Sequence, residues 1–332
     1  MRSIRMIIKK MYRQISTAIC LFALLCTVSA DHDQLNLFSR ASLQSTVSQS
    51  LGGAGTAMPK GGMQGLVNPA LTASCKSSGS IAAGYGRDDV FDKTALPFGA
   101  VITDNNGAMG FYYRFLDGNT GRVNDAAINF SGTLFQSSGT QGDVDLGINA
   151  RYEHSVWPYI YDDENLNNTK LRSSSLLLDV GFYQPQVMEN LDFALVFRNL
   201  TGYSWSEVEG DEKTKGRISS RHRTVVVGCV YTLGFMGGNL LFLLPVDIEM
   251  NNLFKKSLPN RYTLRTGVEG RLGSSYTVRF GYAHAPEDPM ELITDFSPKN
   301  LFFGGVGVFV NPLQIDFFTG KNEWGITATW FY

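Results

Sequence analysis

Residues 143–153 read Asp143-Val144-Asp145-Leu146-Gly147-Ile148-Asn149-Ala150-Arg151-Tyr152-Glu153. Successive side chains of an extended chain point to opposite faces, so Val144, Leu146, Ile148, Ala150 and Tyr152 share one face. Asp143, Asp145, Asn149, Arg151 and Glu153 share the other. The run has the length a tilted strand needs to cross a bilayer, ~9–11 residues. Such a strand belongs either in the wall of a membrane barrel or in a soluble sandwich or propeller.

The same alternation recurs along the chain. Tyr276, Val278, Phe280 and Tyr282 oppose Thr277 and Arg279; Leu191, Phe193, Leu195 and Phe197 oppose Asp192 and Arg198; Leu313, Ile315 and Phe317 oppose Gln314 and Asp316. About fourteen such segments can be marked, near 78–86, 95–103, 107–117, 126–134, 143–153, 174–184, 191–199, 220–233, 239–249, 261–272, 275–284, 301–310, 312–318 and 325–332. No repeat of propeller length runs through them, and a soluble sheet would not be so aromatic at its strand ends. The predicted fold is therefore all-β, a transmembrane antiparallel β-barrel of about 14 strands. Beyond the N-terminus no stretch reaches eighteen consecutive apolar residues, which excludes helical membrane spans.

The connections give an independent reading, because such barrels alternate short periplasmic turns with longer external loops. Asp104-Asn105-Asn106, Gly234 to Gly238, Gly273-Ser274 and Asn311 are short or turn-rich, whereas 154–173, 200–219 and 285–300 are long and polar. Counted strand by strand, the long ones fall at one end, and 135–142 is the one misfit. Energetics then decide which face meets lipid. An arginine on the outer wall at the midplane costs ~2–4 kcal/mol, so Arg114, Arg151, Arg265 and Arg279 would together cost roughly 8–16 kcal/mol there. They must face inward or lie near a rim. Glu269, Asp179, Asp145 and Asp316 share their parity, so guanidinium and carboxylate groups are expected to meet in the lumen.

The first thirty residues differ from the rest. Arg2, Arg5, Lys9, Lys10 and Arg13 precede an apolar stretch from Ala18 to Val28, and Val28-Ser29-Ala30 suits signal peptidase. Residues 1–30 are read as a signal peptide and Asp31 as the mature N-terminus. The apolar stretch is too short for an anchor that needs ~20 residues, and Leu25 before Cys26 does not make a lipobox. Without those five basic residues, 24 Lys+Arg stand against 30 Asp+Glu, a net charge near −6. That balance invites no nucleic acid. Of four cysteines only Cys75 and Cys229 remain after cleavage, enough for one disulfide and too few for a framework.

Two regions carry a resemblance. Ser50-Leu51-Gly52-Gly53-Ala54-Gly55-Thr56-Ala57, followed by Val67-Asn68-Pro69-Ala70-Leu71, resembles the N-terminal signature of the FadL-like superfamily of outer-membrane transporters, and most closely its PorV-like and UPF0164-type short branch. The run Leu191-Asp192-Phe193-Ala194-Leu195-Val196-Phe197-Arg198-Asn199-Leu200 is similar to a strand of that branch, as are Thr263 to Gly270 and Val278 to Tyr282. Lys60-Gly61-Gly62-Met63-Gln64 departs from the pattern, where an acidic pair and an aromatic are common. The resemblance implies a fourteen-stranded barrel over 78–332 with a hatch, or plug, formed by 31–77. Its motif residues here are Gly52, Gly53, Gly55, Asn68, Pro69 and Ala70. The bare residues agree: the glycines permit close packing inside a barrel, and Pro69 drives Asn68 out of helical geometry, leaving its side chain to bond nearby backbone. The final Gly325-Ile326-Thr327-Ala328-Thr329-Trp330-Phe331-Tyr332 resembles the aromatic-ended strand read by the barrel assembly machinery.

No catalytic constellation, cofactor site or metal spacing stands out. His32, His154, His222 and His284 are scattered, and the adjacent Glu153, His154 and Ser155 point to alternating faces and cannot form a relay. Pro245 interrupts the apolar run from Leu240 to Ile248 and cannot donate to a ladder. It marks a candidate kink or gap through which an apolar ligand leaves sideways, or else a mere bulge. The expected protein is a non-enzymatic barrel of the bacterial outer membrane, surrounded by its lipid, that takes up hydrophobic small molecules such as long-chain fatty acids. Arg114, Arg151, Arg265 and Arg279 are the lumen candidates for a ligand carboxylate, and equally for pairing with inward acids. The alternatives are a PorV-like docking or shuttle protein for a secretion system and a surface-exposed structural barrel.

Overall fold

A computed structural model describes residues 45–51, 53–59, 62–74, 78–88, 93–104, 107–118, 121–137, 141–158, 170–208, 217–220, 223–251, 261–284, 300–321 and 323–332. The strands are β1 (Gly79–Asp88), β2 (Lys93–Asp104), β3 (Gly107–Gly118), β4 (Gly121–Phe135), β5 (Val144–Pro158), β6 (Lys170–Met188), β7 (Leu191–Val208), β8 (Arg217–Ser220), β9 (Thr224–Phe235), β10 (Leu240–Asn251), β11 (Arg261–Leu272), β12 (Tyr276–His284), β13 (Asn300–Val310), β14 (Leu313–Thr319) and β15 (Glu323–Phe331). Each pairs antiparallel with its neighbour, and β1 closes on β15 from Ser80 against Phe331 to Asp88 against Glu323. β8 and β9 both lie along β7, opposite Tyr203–Ser206 and Leu191–Arg198 respectively. They are two stretches of one stave, so the closed wall has fourteen and no free edge.

The segments marked by alternation correspond one to one with these staves. The long connections need correction. β5 runs on to Pro158, β6 starts at Lys170, β7 continues to Val208, and β8 reaches back to Arg217, so much of 154–173 and 200–219 is strand. In β6 the run Ser173-Ser174-Ser175 carries no period-two signal, whereas in β7 exposed Tyr203 and Trp205 still alternate with buried Ser204 and Ser206. The misfit at 135–142 leans on the β6–β7 hairpin: the Gly142 amide donates to the Pro185 carbonyl (3.0 Å), and Gln184 Nε2 to the Gly142 carbonyl (3.3 Å).

The wall is apolar outside. Ile128, Phe130, Ile148, Phe193, Val278, Phe280, Phe302 and Ile326 are exposed on the outward face. Outward aromatic pairs sit near both ends, Tyr85 with Trp324 and Tyr282 with Phe302 at one, Phe235 with Phe242 at the other. Buried residues line the inward face, among them Asn129, Asn149, Asp179, Glu269, Arg279 and Asp316. Among the described residues no helix is long and apolar enough to cross a membrane. The strands pair their backbones with one another around the closed wall, which is what a membrane-crossing barrel needs.

Residues 1–44, and with them the expected signal peptide and the front of the 31–77 segment, lie outside the described residues, as do Gly52 and Cys75. Cys229, in β9, is a free thiol.

Candidate functional site

The barrel encloses part of its own chain. Ser45 caps α1 (Thr46–Ser50), its hydroxyl receiving the Ser48 amide, and two 3-10 turns follow at Gln64–Leu66 and Pro69–Thr72. This segment is buried against the inner faces of the wall. Val47, Leu51, Ala54, Ala57, Met58, Ala70 and Leu71 form an apolar cluster with Tyr183, Ala194, Val230 and Leu243 of the wall. Met63 joins a second cluster with Ala82, Val101, Tyr112 and Ala127.

Polar clamps fix the segment through its backbone. Asp247 of β10 accepts from the amides of Gly55 (2.9 Å) and Thr56 (3.0 Å) and from the Thr56 hydroxyl (2.6 Å) with a single oxygen. Asn149 Nδ2 donates to the Gly65 carbonyl (2.8 Å), Asn129 Nδ2 to that of Pro69 (3.1 Å), and Arg198 Nη2 to that of Val67 (3.3 Å). Asn68 is extended (φ −143°, ψ 116°), and its carbonyl oxygen caps the turn at the Ala70 amide (3.0 Å). Its Nδ2 reaches the carbonyls of Thr56 (2.9 Å) and Phe182 of β6 (3.2 Å). Glycine makes the threading possible. Gly53 adopts φ +84° beside Arg265, where a Cβ would lie 2.9 Å from Cδ. On the wall, a Cβ on Gly147 would strike the Pro69 backbone and one on Gly181 the Asn68 side chain.

The four lumen arginines each meet carboxylates. Arg114 pairs with Asp125 (2.9 Å), and Arg151 with Asp125 (3.0 Å) and Asp179 (3.1 Å). Arg265 pairs with Glu249. Arg279, fully buried, bridges Glu269 and Asp316 at 2.7 Å each, and Glu269 also receives Arg271 Nε at 2.6 Å. The structure thus gathers Arg114 with Arg151 on one side of the lumen, keeps Arg265 near the Gly53 turn, and places Arg279 toward the β11–β12 turn. Attraction in a low-dielectric interior offsets the cost of burying these charges only because they are paired.

Pro245 lies on the inward face of β10, and the register against β11 is the same on both sides of it. The ladder runs from Leu243 opposite Glu269 to Val246 opposite Thr266, omitting Leu244 and Pro245. The Thr266 hydroxyl donates to the Pro245 carbonyl (3.1 Å). A larger irregularity separates β6 from β7: pairing jumps from Leu178–Thr201 to Val180–Phe197, Asn199 turns to φ +53°, and its amide donates to Asp179 (2.9 Å).

Sequence reasoning did not single out Asp247, Asn129, Asn149 or Arg198 as holding the segment. One signal was present: glycines at inward positions of several strands, Gly99, Gly147, Gly181, Gly228, Gly267 and Gly305, mark close approach of another backbone.

No family model matches the sequence, and no curated protein sequence does. Solved structures do. The toluene transporter TbuX of Ralstonia pickettii aligns with a TM-score of 0.57 at 12% identity, covering 87% of this chain and 98% of that one. The toluene transporter TodX of P. putida aligns with a TM-score of 0.58 at 7% identity, covering 86% and 97%. At such identities what is shared is the fold, a closed fourteen-stranded antiparallel barrel.

Proposed function

We propose that the protein carries hydrophobic small molecules across the outer membrane, with the 31–77 segment acting as a hatch in the lumen. The observation that carries this reading is the segment itself: its described residues, 45–51, 53–59 and 62–74, pack inside the wall, held by side chains that grip its backbone. A purely structural barrel needs no such filling. Two proteins of similar fold are described as toluene transporters, which supports an apolar cargo.

The lumen chemistry bears on which cargo. Arg114, Arg151, Arg265 and Arg279 already hold carboxylates, so a fatty-acid headgroup has to displace one to bind. The arginines serve foremost as wall partners, and uncharged apolar molecules fit the reading better than long-chain fatty acids. The omitted ladder pairs at Pro245 make that strand the candidate side exit. The signal peptide, with cleavage after Ala30, and recognition of β15 by the assembly machinery complete the proposal.

The test is uptake into asymmetric vesicles with a lipopolysaccharide outer leaflet. Labelled toluene and oleate enter barrel-containing vesicles faster than vesicles carrying an unrelated barrel, toluene with the larger gain. Rates no faster than in the control vesicles, for either compound, contradict transport. Pro245→Val slows apolar uptake if the side exit operates there, and an unchanged rate removes that part alone. The paired lumen also suits the PorV-like docking role, for which the signature is a stoichiometric protein partner that co-purifies in mild detergent without bound lipid.

A further inference from the structure

Two side chains act on the seated segment in opposite senses. Asp247 takes three hydrogen bonds from Gly55 and Thr56 through Oδ2 and is fully buried, its Oδ1 alone without a partner among the described residues. Gly228 on the neighbouring strand leaves it room, since a Cβ there would lie 2.5 Å from Asp247 Oδ1. Gln64 is the counter-case. It opens the first 3-10 turn, is 1% exposed, and among the described residues neither its Oε1 nor its Nε2 has a hydrogen-bond partner although both are buried. Its neighbour Gly65 is tied to the wall through its carbonyl, so the turn is held in place while the amide gains nothing.

A buried amide without partners has given up its water bonds for no return. An apolar side chain of the same shape would sit there more favourably. Withdrawal of the segment lets Gln64 recover water and deprives Asp247 of its three donors. The two effects push one equilibrium in opposite directions.

We propose that Asp247 and Gln64 together set the balance between seated and withdrawn segment, Asp247 as the pin and Gln64 as a built-in destabiliser that keeps the closed barrel poised to open. This rests on reading the segment as a movable hatch, but not on the identity of any cargo.

The experiment is planar-bilayer recording of the purified full-length barrel in potassium chloride, with heat-modifiable mobility confirming that each variant is folded. Gln64→Met, which keeps length and removes the amide, lowers the open-to-closed ratio by about tenfold. Asp247→Ala raises it by about tenfold or more, and combining the two brings it back toward the parent. Thr56→Val, which removes one bond from the segment side, raises it less and serves if Asp247→Ala does not assemble. An unchanged or raised ratio in Gln64→Met overturns the proposal, as does a ratio unmoved by loss of the pin. Loss of apolar uptake with these shifts intact overturns only the transport reading.

Discussion

Arg279 shows how completely a residue's place can follow from its cost. On the outer wall it would forfeit several kcal/mol, and its parity, opposite to that of outward Phe280 and Tyr282, leaves only the lumen. There it is fully buried between Glu269 and Asp316. Among the described residues, replacing it by Met leaves Glu269 with Arg271 as its remaining cation and Asp316 with no cation, only the Gln314 amide, and loss of one partner from a buried pair costs ~3–5 kcal/mol. Urea unfolding of Arg279→Met in micelles, followed by heat-modifiable mobility, gives a midpoint shifted down accordingly. Adding Asp316→Asn recovers part of the loss, because that uncompensated charge is gone while Glu269 keeps Arg271. That the arginines face inward was legible from the sequence, since lipid forbids the alternative. Which carboxylate each takes was not, because pairing depends on the register between strands far apart in the chain.

The strands were legible for the same reason: a strand with lipid on one side and a polar lumen on the other must alternate, and all fourteen staves show it. Their outer ends were not. The end of β6 is the serine run Ser173-Ser174-Ser175, and in β7 the alternation of exposed Tyr203 and Trp205 with buried Ser204 and Ser206 spans too few residues to mark a strand alone. The N-terminal segment was legible only as a motif. Its seat depends on wall glycines whose meaning appears once the strands are curled into a barrel. Gly181 is the sharpest case, since a Cβ there would collide with the Asn68 side chain that caps the Pro69–Thr72 turn and bonds Phe182. Gly181→Ala is expected to unseat the segment and spare the wall: limited proteolysis of the folded barrel cuts within 45–74 far faster than in the parent, while heat-modifiable mobility is unchanged. A segment that stays protected in this variant contradicts the contact as described.

At the scale of the whole molecule, closure of β1 on β15 removes the free edges, and the charged groups are gathered behind an apolar wall. Neither Asp125, Asp179, Glu249, Glu269 nor Asp316 could be tolerated on the outside at midplane, and none is there. The account therefore stands on the outward face meeting hydrocarbon. Spin labels on single cysteines introduced at Ile128, Phe280 and Ile326, with Cys75 and Cys229 replaced by serine and the barrel in lipid vesicles, read that contact directly. At all three positions the account predicts ready collision with oxygen and almost none with a water-soluble nickel chelate. Strong nickel contact, or labels immobilised and reached by neither reagent, would mean that these side chains face water or a dry protein core, and the wall described here would be wrong.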